Sequence, residues 1–353
     1  VILFSASRFT CCASSRLCKG PFFQEVEMWF KHPSFISAKK YLISEFKNIE
    51  KRKKSSDMKE ARGALFGRGP LPKLLFVCGG DPKYCNRRGE IESYLSKHAK
   101  HLLTFRAEYA WETISNTQPG VNALKLEEWL ADLSDAVIII VESFGTVAEL
   151  GAFSLSESLR NKLLPILDRR FKDDESFINT GPVRWVDQDS IYKPTIYADF
   201  ETILTVIPEI LSRIDSDRPK FYNSREEGKT LGTFLFTKKE MLFVIILIIT
   251  SIGPVDDDNI IDICKKSFGT SKKTDIEEIK LLISLCVALE IVSHTTISGK
   301  TCYTCHNYTK LYNTSTTNHL LNTSQKLRGV CISKLIYIEG YVKEIKRLKR
   351  DAS

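Results

Sequence analysis

A short run of residues near the middle of the chain combines a carboxylate, glycines and hydroxyl groups in the pattern of a substrate-binding turn. It reads ESFGTVAELGAF over residues 142–153 and follows the apolar, β-branched segment Ala136–Val141. Gly145 permits a tight turn and a close approach of a substrate. Glu149 is predicted in the first turn of the following helix, where the helix dipole favours an ionised carboxylate.

An ionised carboxylate in such a turn suits the cleavage of an N-glycosidic bond. Breaking that bond builds positive charge on the anomeric carbon of the sugar, and a carboxylate on that face stabilises the cation or traps it covalently. Glu149 is therefore the candidate catalytic residue. The alternative interpretation is that Thr146 and Glu149 form a capping box, a pattern that is common at helix starts.

Alternating strands and helices position this turn. Apolar strands are predicted at Leu74–Cys78, Ala136–Val141 and Leu163–Leu167, with helices near residues 88–101, 124–133 and 146–162. This alternation predicts an α/β domain with a doubly wound parallel sheet over residues 69–214. The second strand is apolar throughout, as expected for a central strand that is buried on both faces.

Residues 215–235 are polar and are predicted to be a linker to a C-terminal domain, residues 236–353. Three helices (Lys238–Ser251, Asp257–Ser267 and Thr274–Glu290) and a hairpin over Ile291–Tyr308 follow the order of a winged helix-turn-helix. A basic helix is predicted over Ile332–Arg350. The apolar run Met241–Ile249 is too short to span a bilayer and predicts a buried helix.

Charge is distributed unevenly along the chain. Residues 1–68 carry 14 basic and 6 acidic side chains, residues 69–218 carry 17 and 23, and residues 219–353 carry 20 and 14. Two basic flanks around an acidic centre indicate contact with a polyanion, with an ordinary solvated surface as the alternative. Six lysines of the C-terminal domain are candidate phosphate contacts, with protein docking as the alternative. They are Lys265, Lys266, Lys272, Lys273, Lys280 and Lys300.

The N-terminal residues 1–68 are predicted to be a basic helical extension, with helix from Met28 to Met58. Residues 1–27 do not resemble a signal peptide, and we interpret them as following a non-Met start codon or as translated upstream sequence before a start at Met28. The ten cysteines do not suggest a disulfide framework, which indicates a reducing, cytoplasmic location. Cys302-x-x-Cys305-His306 matches a haem-attachment spacing, but without an export signal we do not expect haem there. We expect no zinc site either, because the further ligands His319 and Cys331 are ill-spaced.

Three segments of the α/β region resemble a known family. LFVCGGD at 75–81, ESFGTVAELGAF at 142–153 and ESFINTGPVRW at 175–185 are similar to the nucleoside deoxyribosyltransferase-like family. They resemble more closely still the effector proteins that are encoded beside retron reverse transcriptases. Those effectors join this catalytic fold to a C-terminal winged helix, which agrees with the predicted order of domains.

The resemblance implies roles for four residues around the central strand. Glu149 occupies the family's nucleophile position, and Glu127 falls where deoxyribosyltransferases keep an aspartate that handles the base. Ser143 falls where they keep a second aspartate, which puts free nucleoside exchange in doubt, although the neighbouring Glu142 could compensate. The alternatives are that Glu127 is a solvated helix residue and that Glu142 caps a turn or pairs with a cation.

The other implied site residues lie in the first and third segments. Gly79, Gly80 and Asp81 resemble the family's floor for the sugar or base, or form a plain turn. Asn179 resembles the asparagine that completes the pocket, in this family sometimes from a neighbouring subunit, or it satisfies loop backbone groups. Arg184 is a candidate contact for a substrate phosphate, with pairing to an acidic neighbour as the alternative.

The resemblance also implies a function. The expected activity is an N-glycosidase of anti-phage defence, toxic during infection, that hydrolyses the ribose–base bond of a nucleotide, with NAD as substrate and no cofactor. The expected partners are the reverse transcriptase and its branched DNA–RNA product (msDNA), in a homo-oligomer or higher assembly away from membranes. The competing functions are a deoxyribosyltransferase or nucleoside hydrolase of salvage, and a nucleotide-sensing DNA-binding regulator.

Overall fold

The computed structural model describes residues 29–53, 65–66, 71–111, 122–216, 236–270, 272–305 and 318–351. The predictions for residues 1–27 lie outside these ranges, as does most of the predicted linker.

Five parallel strands form the central sheet. They are β1 (Lys73–Cys78), β2 (Leu102–Phe105), β3 (Ala136–Ile140), β4 (Leu163–Asp168) and β5 (Ile196–Ala198). Their order across the sheet is β2-β1-β3-β4-β5, and each neighbouring pair is parallel. The predicted α/β domain with a parallel sheet is therefore confirmed. The winding direction reverses between β1 and β3, where sheets of this kind bind ligands beyond the carboxyl ends of the strands.

Helices cover both faces of this sheet. They are α2 (Arg87–His98), α3 (Ala123–Leu133), α4 (Phe144–Leu155), α5 (Glu157–Arg160), α6 (Arg184–Asp189) and α7 (Ile207–Asp215). Because successive strand residues point to opposite faces, β3 contributes to two cores. Val137 and Ile139 share a core with α3 and α4, whereas Ile138 and Ile140 pack with α2 and α7. This arrangement fits a doubly wound fold.

The C-terminal region contains further helices and a small antiparallel sheet. The elements are α8 (Lys238–Ile252), β6 (Val255–Asp256), α9 (Asp257–Phe268), α10 (Lys273–Ala288), β7 (Val292–Ile297), β8 (Lys300–Cys305), α11 (Asn318–Leu335) and α12 (Glu339–Asp351). The sheet has the order β6-β8-β7. The single helix predicted over Ile332–Arg350 is wrong, because the chain turns at buried Ile338 and a new helix starts at Glu339, an acidic residue favoured at a helix N-terminus.

Helix α8 lies at the centre of the C-terminal region. Every residue from Met241 to Ile249 is buried, as the sequence predicts. Across the parts of the chain that the structure describes, no helix combines the length and apolar character needed to cross a bilayer.

The N-terminal helix α1 (Pro33–Lys53) packs against α9 and α11. Its buried side chains Phe35, Ala38, Leu42 and Phe46 recur at intervals of three and four residues, which places them on one face. The helix is therefore part of the same core as the C-terminal region.

Polar contacts join α3 of the α/β domain to the C-terminal region. Trp129 Nε1 donates to Glu278 Oε1 of α10 at 2.5 Å, and Lys238 Nζ lies 3.3 Å from the same oxygen. Lys239 Nζ lies 2.5 Å from Oδ2 of Asp135, which stands between α3 and β3. The C-terminal region thus contacts the helix that carries one of the candidate catalytic carboxylates.

Candidate active site

The helix that carries Glu149 begins two residues earlier than the sequence predicts. Ser143 is the N-cap of α4, and its hydroxyl accepts the Thr146 N–H at 3.3 Å, while Thr146 Oγ1 accepts the Ser143 N–H at 3.0 Å. The capping box therefore joins Ser143 and Thr146, so the alternative box between Thr146 and Glu149 is wrong. Glu149 lies in the second turn, where the helix dipole has little effect.

The Glu149 side chain is mostly buried beside the carboxyl end of β1. Its Oε2 atom is buried and has no hydrogen-bond partner among the residues that the structure describes. Burial raises the pKa of Glu149, while a hydrogen bond with the Cys78 thiol and the charge of Arg88 act in the opposite direction. A buried carboxylate oxygen without a protein partner is suited to hold a reacting group that becomes cationic.

Glu127, on α3, is the second carboxylate of the site. Burial, followed by the charge of Glu149 and then that of Glu108, raises the pKa of Glu127 from 4.5 to about 7. This side chain therefore exchanges its proton near neutral pH. No hydrogen-bond donor of the described residues lowers the pKa of Glu127 as Cys78 does that of Glu149. Burial thus raises the pKa of both carboxyls, but only at Glu149 do a thiol hydrogen bond and the charge of Arg88 oppose that rise. Sites divide acid and base roles by such differences in environment.

Arg88 of α2 is a buried cation beside these carboxylates that the sequence analysis missed. Its side chain is 4% exposed, its Nη2 atom lies 2.7 Å from Glu108 Oε1, and its Nε atom has no partner within the described ranges. Gly79 makes room for it, because a Cβ on Gly79 would lie 2.7 Å from the Arg88 Cβ. In the sequence, only the pair of glycines ahead of α2 indicated that a side chain of this helix packs closely against the end of β1.

Glu142 joins the ends of β1 and β3. Its carboxylate accepts the Gly80 N–H at 2.9 Å and pairs with Arg87 Nη1 at 3.0 Å, and its side chain is 1% exposed. A Cβ on Gly80 would lie 2.8 Å from Cys85 Sγ, so the loop there tolerates only glycine without a shift. Glu142 therefore makes the contacts that the ion-pair alternative predicts. A direct part of Glu142 in the chemistry stays a prediction.

Asp81 lies in the loop after β1, and Gly145 lies in the first turn of α4. Asp81 Oδ1 accepts the Lys83 N–H at 2.9 Å and so fixes the turn that follows β1. A Cβ on Gly145 would meet only Ser143 Oγ, at 3.7 Å. The space around Gly145 therefore allows the close approach of a substrate that the sequence predicts.

Asn179 and Arg184 line a separate cleft of about 440 Å³, which is formed by the segment between β4 and β5 and by Tyr197 of β5. Asn179 Nδ2 donates to the carbonyl oxygens of Phe171 at 2.7 Å and Asp174 at 2.8 Å, so its amide holds loop backbone, as the alternative interpretation expects. Glu149 does not line this cleft. Contact of Asn179 and Arg184 with the substrate of the carboxylate pair stays a prediction.

The six candidate phosphate-binding lysines lie around α9, α10 and the hairpin. Lys265 and Lys266 end α9, Lys272 and Lys273 flank the start of α10, Lys280 is half-buried within it, and Lys300 begins β8. Three of them form ion pairs: Lys266 with Asp262 at 2.8 Å, Lys273 with Glu277 at 3.9 Å and Lys300 with Asp256 at 3.5 Å.

The cysteines of the haem-like spacing lie on the hairpin, as the sequence analysis expects. Cys302 and Cys305 are buried free thiols on β8. Within the ranges that the structure describes, no group of three or more His, Cys, Asp or Glu side chains could hold a metal ion.

Comparison with known proteins places the chain in a family. A family model described as STM3845 retron effector protein matches residues 84–294, which is more than half of the chain. The chain belongs to this retron effector family. It is 29% identical over 241 residues to the "Retron Ec73 putative ribosyltransferase/DNA-binding protein" of Escherichia coli, a match that covers 62% of this chain and 74% of that protein. It is also 29% identical over 221 residues to the "Retron Ec86 putative ribosyltransferase/DNA-binding protein" of Escherichia coli, covering 60% and 69%. The resemblance to retron effectors is thus confirmed.

Proposed function

We propose that this retron effector is an N-glycosidase that hydrolyses the bond between ribose and base in a nucleotide, with NAD as substrate. The observation that carries the proposal is the buried Oε2 atom of Glu149 beside the carboxyl end of β1, which has no hydrogen-bond partner among the residues that the structure describes. Burial raises the pKa of both carboxyls; a thiol hydrogen bond and the charge of Arg88 oppose the rise at Glu149, whereas Glu127 retains its proton to about pH 7. The names of the two relatives, which include ribosyltransferase, support a reaction at the sugar.

In the proposed reaction, Glu149 faces the anomeric carbon of the ribose. As the C–N bond breaks, its electron pair moves to the nicotinamide nitrogen, which loses its positive charge, and Glu149 stabilises or traps the cationic carbon. Water then adds to that carbon and gives up a proton to a carboxylate. The products are nicotinamide and ADP-ribose.

Glu127 is the residue that distinguishes substrates. Nicotinamide leaves NAD as a neutral molecule, so its departure needs no acid, and a protonated Glu127 would only hydrogen-bond to the base. A purine or pyrimidine leaves more readily after protonation, which a group with a pKa of about 7 can supply at neutral pH. This pKa favours the second candidate function, a nucleoside hydrolase or deoxyribosyltransferase.

We further propose that the C-terminal region is a winged helix that, with the reverse transcriptase and msDNA, restrains the enzyme in a higher assembly. The succession of α8, α9, α10 and the β7–β8 hairpin supports the winged-helix assignment. The relatives' names, which include DNA-binding, support a nucleic-acid partner. Contacts such as the hydrogen bond between Trp129 and Glu278 would couple binding of that partner to the position of α3.

Incubation of the purified chain with NAD tests the proposal directly. We expect equimolar nicotinamide and ADP-ribose, and no product from Glu149→Gln. Addition of a free base separates hydrolysis from transfer, because only a transferase yields a new nucleoside. If NAD stays intact while purine nucleosides are cleaved in a reaction that Glu127→Gln abolishes, the second candidate function replaces the first.

A further inference from the structure

A groove of about 540 Å³ lies between α1 and α9, apart from the carboxylate site. Its floor includes the apolar side chains Phe30, Ile36 and Ile43, of which Ile36 is 40% exposed. Phe30 also stacks on Trp29, with ring centroids 5.2 Å apart, which holds the ring in place. The floor therefore presents a fixed aromatic ring and two aliphatic side chains.

The second face of α1 lines this groove. Ile36, Lys40, Ile43 and Lys47 recur at intervals of four, three and four residues, so they form one stripe that alternates apolar and cationic side chains. Lys40 and Lys47 are exposed. They stand two helical turns apart, about 10 Å along the axis.

The groove has an excess of positive charge. Lys39 and Lys266, from its two sides, both pair with Asp262, at 2.6 Å and 2.8 Å. The described residues that line the groove include these two lysines together with Lys40 and Lys47, and no acidic side chain. An anionic ligand would satisfy this excess.

We infer that the groove between α1 and α9 binds a single-stranded nucleic-acid segment, with phosphates at Lys40 and Lys47 and a base or sugar on Phe30. A charged edge beside an aromatic surface is how proteins bind single strands without sequence preference, because every base has a face that can stack. Within a paired stem those faces are covered by the neighbouring base pairs. The inference rests on the nucleic-acid partner proposed above and gives it a location outside α10.

Fluorescence anisotropy of the full chain with a labelled single-stranded oligonucleotide, over a range of salt concentrations, tests the inference. We expect Lys40→Glu/Lys47→Glu to lower the affinity at least tenfold at low salt. We also expect it to reduce the slope of log affinity against log salt by about 1.4, since each phosphate contact on a single strand contributes roughly 0.7. The exposed pair Lys97→Glu/Lys100→Glu on the α/β domain makes the same change in charge and should leave both quantities unchanged.

The rival surface is the start of α10, tested by Lys272→Glu/Lys273→Glu. The inference is overturned if this variant loses binding while the groove variant keeps it, or if the Lys97/Lys100 pair loses as much as the groove pair. It is also overturned if the native chain binds polyglutamate in the groove and no oligonucleotide, which would indicate an acidic protein partner. Circular dichroism confirms that each variant is folded. Glu149→Gln should bind like the native chain, so a failed glycosidase proposal leaves this test intact.

Discussion

Replacing Glu127 with glutamine should stabilise the protein at alkaline pH and not at acid pH. Burial and the charge of Glu149 raise the pKa of Glu127 to about 7 in the folded protein, while the unfolded chain titrates near 4.5. Below 4.5 both states hold the proton, and the group contributes no pH dependence. As the pH rises from 4.5 to about 7 the unfolded chain loses its proton first, which favours unfolding, and the full penalty remains above pH 7.

The size of the effect follows from the width of this window. One pKa unit corresponds to about 1.4 kcal/mol, so a shift from 4.5 to about 7 corresponds to roughly 3 kcal/mol of lost stability above neutral pH. Glutamine has nearly the same shape and cannot ionise. We therefore expect the free energy of unfolding of Glu127→Gln, relative to that of the native chain, to rise by about 3 kcal/mol from pH 4.5 to pH 8.

Urea unfolding followed by tryptophan fluorescence measures this difference at the two pH values. Because the chain has more than one unit, the shift in midpoint of the first transition is the readout. Glu128→Gln is the matched control, since Glu128 is exposed on the same helix, and its midpoint should follow that of the native chain. A stabilisation by Glu127→Gln that is equal at both pH values would refute the assigned environment of Glu127.

Three further substitutions probe the surroundings of the site. Gly79→Ala should destabilise the fold by about 1–3 kcal/mol, because the new Cβ would lie 2.7 Å from the Arg88 Cβ; Gly151→Ala, which meets nothing within 4 Å, should not lower the melting temperature. Arg88→Met should shift the rising limb of the pH–rate profile to higher pH, because the candidate nucleophile loses a cation that favours its ionised form; an unmoved limb would show that this arginine is only structural. Trp129→Phe keeps the ring packing but loses the hydrogen bond to Glu278, so denaturant unfolding should show about 0.5–1.5 kcal/mol of lost stability.

The sequence predicted the parts of the fold that have a strong local pattern. β1, β3 and β4 are continuous apolar runs, and α8 is uniformly apolar, so burial alone identifies them. β2 and β5 were not predicted, because strands of four and three residues carry too few positions for a periodicity. The early start of α4 was missed because the Ser143–Thr146 box competes with an equally good pattern one turn later.

Only part of the candidate site was accessible from the sequence. Glu149 is predicted from its place after the buried strand and from the family pattern, Glu127 from the family pattern alone, and their roles stay predictions. The side chains that set their ionisation, Cys78, Arg88 and Glu108, come together only when α2 packs on β1 and the loop after it. The spacing of these residues along the chain does not predict that they come together, because this depends on contacts between separate elements.

The most direct test of the central claim is the NAD content over time of cells that express this chain. Three versions are compared: the native chain, Glu149→Gln, and Glu157→Gln as a control at an exposed glutamate on α5. The glycosidase account predicts that NAD falls with the native chain and with Glu157→Gln and stays constant with Glu149→Gln. An equal fall with Glu149→Gln, or constant NAD with all three chains, would contradict it.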